Sequence, residues 1–313
     1  MRHYVLRRVI ATAPVVLIVA LFVFSLLYLA PGDPAAIIAG DQATAADLER
    51  IRHTLGFDRP FLVRFGDWLW QIAQGDFGTS IFTNMPVMKM IGQRVEPTLS
   101  LMAITMIIAV AVAVPTGVVA AVNANSVLDR AIMTCGVLGF SIPIFVVGYL
   151  LAYLFALRLN WLPVQGYTPL SEGVGPWLAN LLLPSLALGS ANIALIARTT
   201  RSAMLEVLNQ DYIRTARAKG IGQMRILFLH ALKNAAIPIL TVVGISVALL
   251  IGGAVVTETV FAIPGIGRLT VDAVLRRDYP VIQAVVFLFS VVYVLVNLTI
   301  DLLYTLVDPR VRY

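Results

Sequence analysis

"TLSLMAITMIIAVAVAVPTGVVAAV", residues 98–122, runs for 25 residues without one charged side chain. A helix needs ~20 predominantly apolar residues to cross a hydrocarbon core, so this stretch spans a membrane by itself. Working outward, five more stretches meet the same test, at 9–30, 131–157, 178–197, 236–257 and 281–307. The composition agrees: 59% of the residues are hydrophobic, 13% are charged and the mean hydropathy is +0.88, far from an ordinary soluble chain. The expectation is an all-α polytopic membrane protein with six transmembrane helices, and six crossings put both termini on one side.

The first of these stretches follows the basic "MRHYVLRR", residues 1–8, as a secretory signal would. Its length exceeds a signal's apolar core and "YLAPGDPA" makes a poor cleavage site, so an uncleaved first helix is expected. Orientation follows from the basic residues. With the N-terminus inside, cytoplasmic segments hold Arg2, Arg7, Arg8, Arg130, Arg198, Arg201, Arg214, Arg217, Lys219, Arg225, Lys233, Arg310 and Arg312, which is 13 of 23. Six of the other ten fall in the long loop 31–97, where eight acids balance them. The positive-inside bias therefore predicts N-in and C-in, and explains the net charge of +6 without a nucleic-acid partner.

Three regions result: the N-terminal segment with the first helix at 1–30, an extracytoplasmic loop at 31–97, and a five-helix core at 98–313 with a cytoplasmic segment at about 198–235. In the loop, "TAAD" at 44–47 reads as a capping box ahead of Leu48, Ile51 and Leu55. "PFLVRFGDWLWQI" places Phe61, Phe65, Trp68, Leu69 and Ile72 at helical spacing, and Trp68 and Trp70 suit a membrane interface. Short helices on the outer surface are expected there, with Pro86 opening another. Pro14, Pro115, Pro143, Gly252 and Gly253 interrupt spans, either beside a cavity or by close packing of small residues.

Catalytic chemistry is missing from the sequence. None of Lys89, Lys219 and Lys233 completes a Gly-Lys-Ser/Thr phosphate loop, and "DFG" at 76–78 has no accompanying kinase elements. His3, His53 and His230 lie far apart, and the single Cys135 sits in an apolar run, so neither a metal site nor a disulfide is expected. "GFSIP" at 139–143 is no nucleophile elbow. Polar groups at membrane depth are costly and often line a path. Ser190, Asn192, Ser246 and Glu258 are the pathway candidates, whereas Asn297 and Asp301, one turn apart on the last helix, read as structural.

The segment 198–235 carries seven basic residues against Glu206 and Asp211. Within it, "DYIRTARAKGIGQ" at 211–223 reads as a short helix with Asp211 as N-cap and Gly220 at C′. Tyr212, Ile213, Ala216 and Gly220 share one face, while Arg214 and Arg217 point away, leaving Thr215, Ala218 and Lys219 to complete the turns. So short a helix persists only on a docking surface, which the small Ala216 and Ala218 would let it approach. A basic loop on anionic membrane lipid is the plainer reading. A second amphipathic run, with Met224, Leu227, Phe228, Ala231 and Leu232, then leads to the fifth span at Pro238.

This segment resembles the "EAA" loop of ABC-importer permeases, with Arg214, Thr215 and Ala216 where Glu-Ala-Ala stands, Gly220 as the glycine, and Leu232 with Lys233 at the Leu-Pro position. "RRVIATAPVVLIVALFVFSLLYLAPGDPA", "GFDRPFLVRFGDWLWQIAQGDFGTS", "TETVFAIPGIGRLTVDAVLRRDYPVIQ" and "NLTIDLLYTLVDPRVRY" look like segments of the same family in the same order. The chain is similar to permeases of the dipeptide/oligopeptide branch, specifically the one reading "RTARAKG". That resemblance implies a type I importer fold in the bacterial cytoplasmic (inner) membrane. It implies a heterodimer with a second permease, two cytoplasmic ATPase domains that bind the ATP and Mg, and an extracytoplasmic solute-binding protein delivering peptide. This chain would bind no cofactor itself. Nickel or glutathione importers share the architecture, and a free-standing secondary transporter is disfavoured because no midplane cluster of acids provides an ion site.

Overall fold

The computed structural model describes residues 2–29, 44, 49 and 59–307, with side chains at 11–27, 44, 49 and 59–300. Its helices are α1 (Arg2–Leu29), α2 (Phe61–Ala73), α3 (Val87–Val122), α4 (Val127–Ser141), α5 (Ile144–Leu151), α6 (Val174–Leu208), α7 (Asp211–Ala218), α8 (Leu232–Val260), α9 (Ile266–Arg276) and α10 (Tyr279–Val307). A π-helical turn, Ala152–Arg158, continues α5, and another, Ile226–Ala231, precedes α8. Residues 45–47 of the capping box with most of the helix expected after it, the Asp301 side chain and the terminal Arg310 and Arg312 lie outside the described residues.

Among the described residues, four helical runs are long and apolar enough to cross a membrane, Val87–Val122, Val174–Leu208, Gln223–Val260 and Tyr279–Ile300, and a bent pair makes up to five. The described apolar stretch of α1, Ala11–Leu27, is shorter than that standard. The bent pair covers the span expected at 131–157 and shows how far Pro143 interrupts it: α4 and α5 meet at 105°. Pro143 explains the break, since it has no N–H to continue a helix and drives the preceding Ile142 to extended backbone at ψ 127. A correction concerns Pro86, which opens no separate short helix. Its carbonyl accepts the first bonds of α3, from Lys89 and Met90, so the 98–122 span is the latter part of one 36-residue helix.

The chain divides into two compact units, residues 1–95 with 269–295, and residues 96–268 with 296–313. In the first, Phe24 of α1 meets Phe61, Phe65 and Trp68 of α2 at 5.3, 5.6 and 5.4 Å between ring centroids. Trp68 in turn meets Phe287 of α10 at 5.9 Å. The expected amphipathic run is thus a helix whose aromatic face is seated, and Trp70 stays exposed. "DFG" serves as a local turn, because the Asp76 carboxylate accepts the Gly78 N–H at 2.8 Å.

In the second unit α6 is the central element. Leu181, Leu183, Ala187 and Leu188 pack with Leu250, Ala254, Phe261 and Ile263, while Met204 and Ala203 pack with Ala121, Ala231 and Ala235. Small residues set these distances, as in membrane bundles: a Cβ on Gly117 of α3 would meet the Ala197 carbonyl of α6 at 2.6 Å. Gly253 follows the same reading, with Leu188 and Ile144 against it, whereas Gly252 faces open space.

Candidate coupling segment and pathway residues

α7 forms where the sequence places a helix, with one change of cap. Gln210, not Asp211, is the N-cap, and its carbonyl accepts the N–H groups of Ile213 and Arg214 at 3.1 and 3.3 Å. Asp211 occupies the first turn, where a carboxylate faces the positive end of the helix dipole. The other end is closed by a Schellman motif: Gly220 at φ +74, its N–H on the Arg217 carbonyl at 2.9 Å, and the Ile221 N–H on the Ala216 carbonyl at 3.2 Å.

Ile213 and Ala216 are buried against Ile226, Leu208 and Ile221 of the same chain. The face expected to meet a partner is therefore occupied internally, because an apolar stripe is first satisfied by the π-helical turn that follows it. Arg214, Thr215, Arg217, Ala218 and Lys219 remain exposed. Tyr212 accepts an N–H from Asn234 at 3.0 Å, which ties α7 to α8. Beside this junction lies a cleft of about 530 Å³ lined by Leu205, Leu208, Asn209, Arg217, Gln223 and Leu227 among others.

One ion pair here has no counterpart in the sequence pattern. Arg201 of α6 donates to both carboxylate oxygens of Asp129, at 2.5 and 2.7 Å. Asp129 also accepts the Asn125 N–H at 2.9 Å, and its own N–H goes to the N-cap hydroxyl of Ser126 at 3.2 Å. The turn between α3 and α4 is thereby fastened to α6, seven residues before that helix ends. Ser126 followed three residues later by Asp129 is a legible cap signal, but nothing in the sequence names Arg201 as its partner.

The four pathway candidates do not converge. Ser190 and Asn192 of α6 are two residues apart and so cannot share a helix face. Ser190 donates to the Ala187 carbonyl at 2.8 Å and Asn192 to the Leu188 carbonyl at 3.2 Å. Ser246 and Glu258 are twelve residues apart on α8, about 18 Å along the axis. The Ser246 hydroxyl is buried with no hydrogen-bond partner among the described residues.

Glu258 is fully buried. The Thr98 hydroxyl donates to its Oε1 at 2.6 Å, and the Arg268 N–H donates to its Oε2 at 2.9 Å. The same Thr98 oxygen accepts the Ile266 N–H at 2.8 Å. Gly265 and Gly267 make room, for a Cβ on Gly265 would fall on the carboxylate and one on Gly267 would meet Val255 Cα at 2.6 Å. Two glycines two residues apart were a signal for such a close approach. Thr98, hidden in an apolar run, gave none. In the first unit Asp278 plays a comparable part, accepting the Ser80 hydroxyl at 2.5 Å and the Ile81 N–H at 3.2 Å.

A profile described as the inner membrane component of binding-protein-dependent transport systems matches residues 113–313, and that of its N-terminal region matches residues 1–102. The chain belongs to this family. It is an all-helical polytopic permease of the inner-membrane transport class, a non-catalytic subunit of an ABC importer, and membership implies ATPase and binding-protein partners. The permease is 54% identical over 310 residues to a probable peptide ABC transporter permease of Sinorhizobium fredii, covering 99% of each chain. It is 45% identical to a putative peptide transport system permease of Brucella abortus and to a glutathione transport system permease of Salmonella typhimurium, each over 313 residues and 100% of both chains. Among solved structures, a chain of the methionine ABC transporter MetNI in an inward-facing conformation aligns with TM-score 0.60 at 19% identity, covering 71% of this chain and 97% of that one. That likeness establishes the importer-permease fold.

Proposed function

We propose that this permease moves di- and oligopeptides inward across the bacterial cytoplasmic membrane, driven by ATPase subunits that grip α7. The observation that carries the coupling reading is the division of α7 into a seated face, Ile213 and Ala216, and an exposed face, Arg214, Thr215, Arg217 and Ala218. A short helix held by one side offers its other side to a partner, and a displacement imposed there passes through Tyr212 and the π-helical turn into α8. The ATPases supply ATP and Mg chemistry, and the permease supplies levers. A docking energy that differs by a few kcal/mol between two states suffices to shift their populations.

In this reading six helices cross the membrane with both termini inside, a second permease completes a heterodimer, and residues 98–313 form the core. A solute-binding protein delivers substrate to the outer face. Ser190, Asn192 and Ser246 are the first positions to test for the pathway. The peptide assignment is supported by the named relatives from Sinorhizobium fredii and Brucella abortus. Glutathione is a second reading, favoured by the 45% identity to the Salmonella typhimurium permease. Competition of uptake by di- to hexapeptides, nickel and glutathione separates them; inhibition by nickel alone overturns both.

The coupling role is tested by A218W, which adds bulk to the exposed face of α7 without entering its seated face. Peptide-stimulated ATP hydrolysis and uptake are expected to part company while the permease pair still assembles. Undiminished uptake overturns the role.

A further inference from the structure

We propose that Glu258 and Thr98 form the joint through which a displacement of α8 reaches α3 and the first turn of α9. The inference rests on the coupling reading of α7. From Gln223 to Val260 the chain is one helical run of 38 residues, counting the π-helical turn. A push received beside α7 is therefore carried along a continuous helical run to Glu258, past the π-helical turn and Pro238. What happens there depends on how α8 holds its neighbours.

Over most of its length α8 touches other helices through small and aliphatic side chains such as Ala235, Ile239, Val242 and Leu250. Such contacts are non-directional and permit sliding. At Glu258 the contact is directional. One carboxylate oxygen holds the Thr98 hydroxyl of α3 and the other holds the Arg268 N–H of α9. The Thr98 oxygen closes the triangle by accepting the Ile266 N–H.

The amides at the start of α9 have no acceptor inside their own helix, and Glu258 and Thr98 supply the acceptors that they need. Glu258 and Thr98 are 0 and 3% exposed, so water does not compete for these bonds. Three chain segments must therefore move together at this point. A fully enclosed carboxyl group with one oxygen on a hydroxyl and the other on a backbone amide is built to hold position rather than to touch a passing solute. Glu258 and Thr98 are positioning residues.

The test uses the complete transporter, permease pair, ATPases and binding protein, in proteoliposomes with a di- to hexapeptide pool. T98V keeps the volume of threonine and removes its hydroxyl, while T98S keeps the hydroxyl. The expected result for T98V is intact assembly, basal ATP hydrolysis within about twofold of wild type, and binding-protein-stimulated hydrolysis and uptake reduced roughly tenfold, within the usual range of coupling free energies. E258Q follows T98V, and T98S stays near wild type. Wild-type stimulation in T98V overturns the joint, as does an equal loss in T98S. Failure of T98V to assemble also overturns it, because the hydroxyl would then serve folding. A218W runs alongside: if it keeps wild-type uptake, the coupling reading falls and the joint with it. If A218W loses uptake while T98V keeps it, only the joint falls.

Discussion

Two short helices bracket the run that contains α8, and they are held in opposite ways. α7 has its ends closed by its own backbone, through Gln210 and the Gly220 Schellman motif, and buries only Ile213 and Ala216. α9 begins on a buried carboxylate from one element and a hydroxyl from another, with glycines placed so that the backbone can close in. Just past its last turn, Asp278 receives Ser80 and Ile81. A helix secured locally can be taken hold of by a partner, whereas one secured by distant side chains moves only with them. The amphipathic pattern is common to both, so pattern alone does not tell a lever from a fixture.

The sharpest way to break this comparison is a pair of glycine substitutions. G267A drives a Cβ toward Val255 Cα at 2.6 Å, and backbone cannot give way as a flexible side chain can. The expected cost is about 3 kcal/mol, the upper end for overpacking, read as a lower thermal midpoint of the detergent-extracted complex. D278N comes next. It weakens two hydrogen bonds to a buried carboxylate, for roughly 1.5–3 kcal/mol, and should speed proteolytic cleavage within residues 76–86. G220A is milder, since nothing lies within 4 Å of the added Cβ. Only the left-handed φ of +74 opposes it, at about 1–2 kcal/mol, and uptake should fall more than the thermal midpoint.

Smallest of all is R214A. Its pair with Asp211 is exposed, 3.3 Å long and one turn apart, and is worth at most ~0.5 kcal/mol. Stability should hold within that limit. A thermal midpoint that drops as far in R214A as in G267A would erase the distinction between the two helices.

Much of the fold is legible in the residues. Apolar runs of twenty or more reveal spans because burial in lipid tolerates few charges, and Gly220 reveals a helix end because few other residues accept its φ. The α4/α5 bend was half legible: Pro143 marks a break, but whether a helix kinks or turns through 105° depends on what packs against it. Pro97 shows the converse, since α3 begins at Val87 and continues past it. The site was less legible. Ile213 and Ala216 read as a sticky face, yet the sequence could not say whether this chain or another covers it.

By itself, then, the sequence determined class, the approximate spans and the place of the short basic helix, because hydropathy and cap chemistry act over neighbouring residues. Only the tertiary structure decided which face of α7 is free, that Arg201 holds Asp129, and that Glu258 is enclosed by Thr98 and the start of α9. Those pairings join residues 72 and 160 positions apart. A buried carboxylate must find donors wherever folding brings them, and no local pattern records where that is.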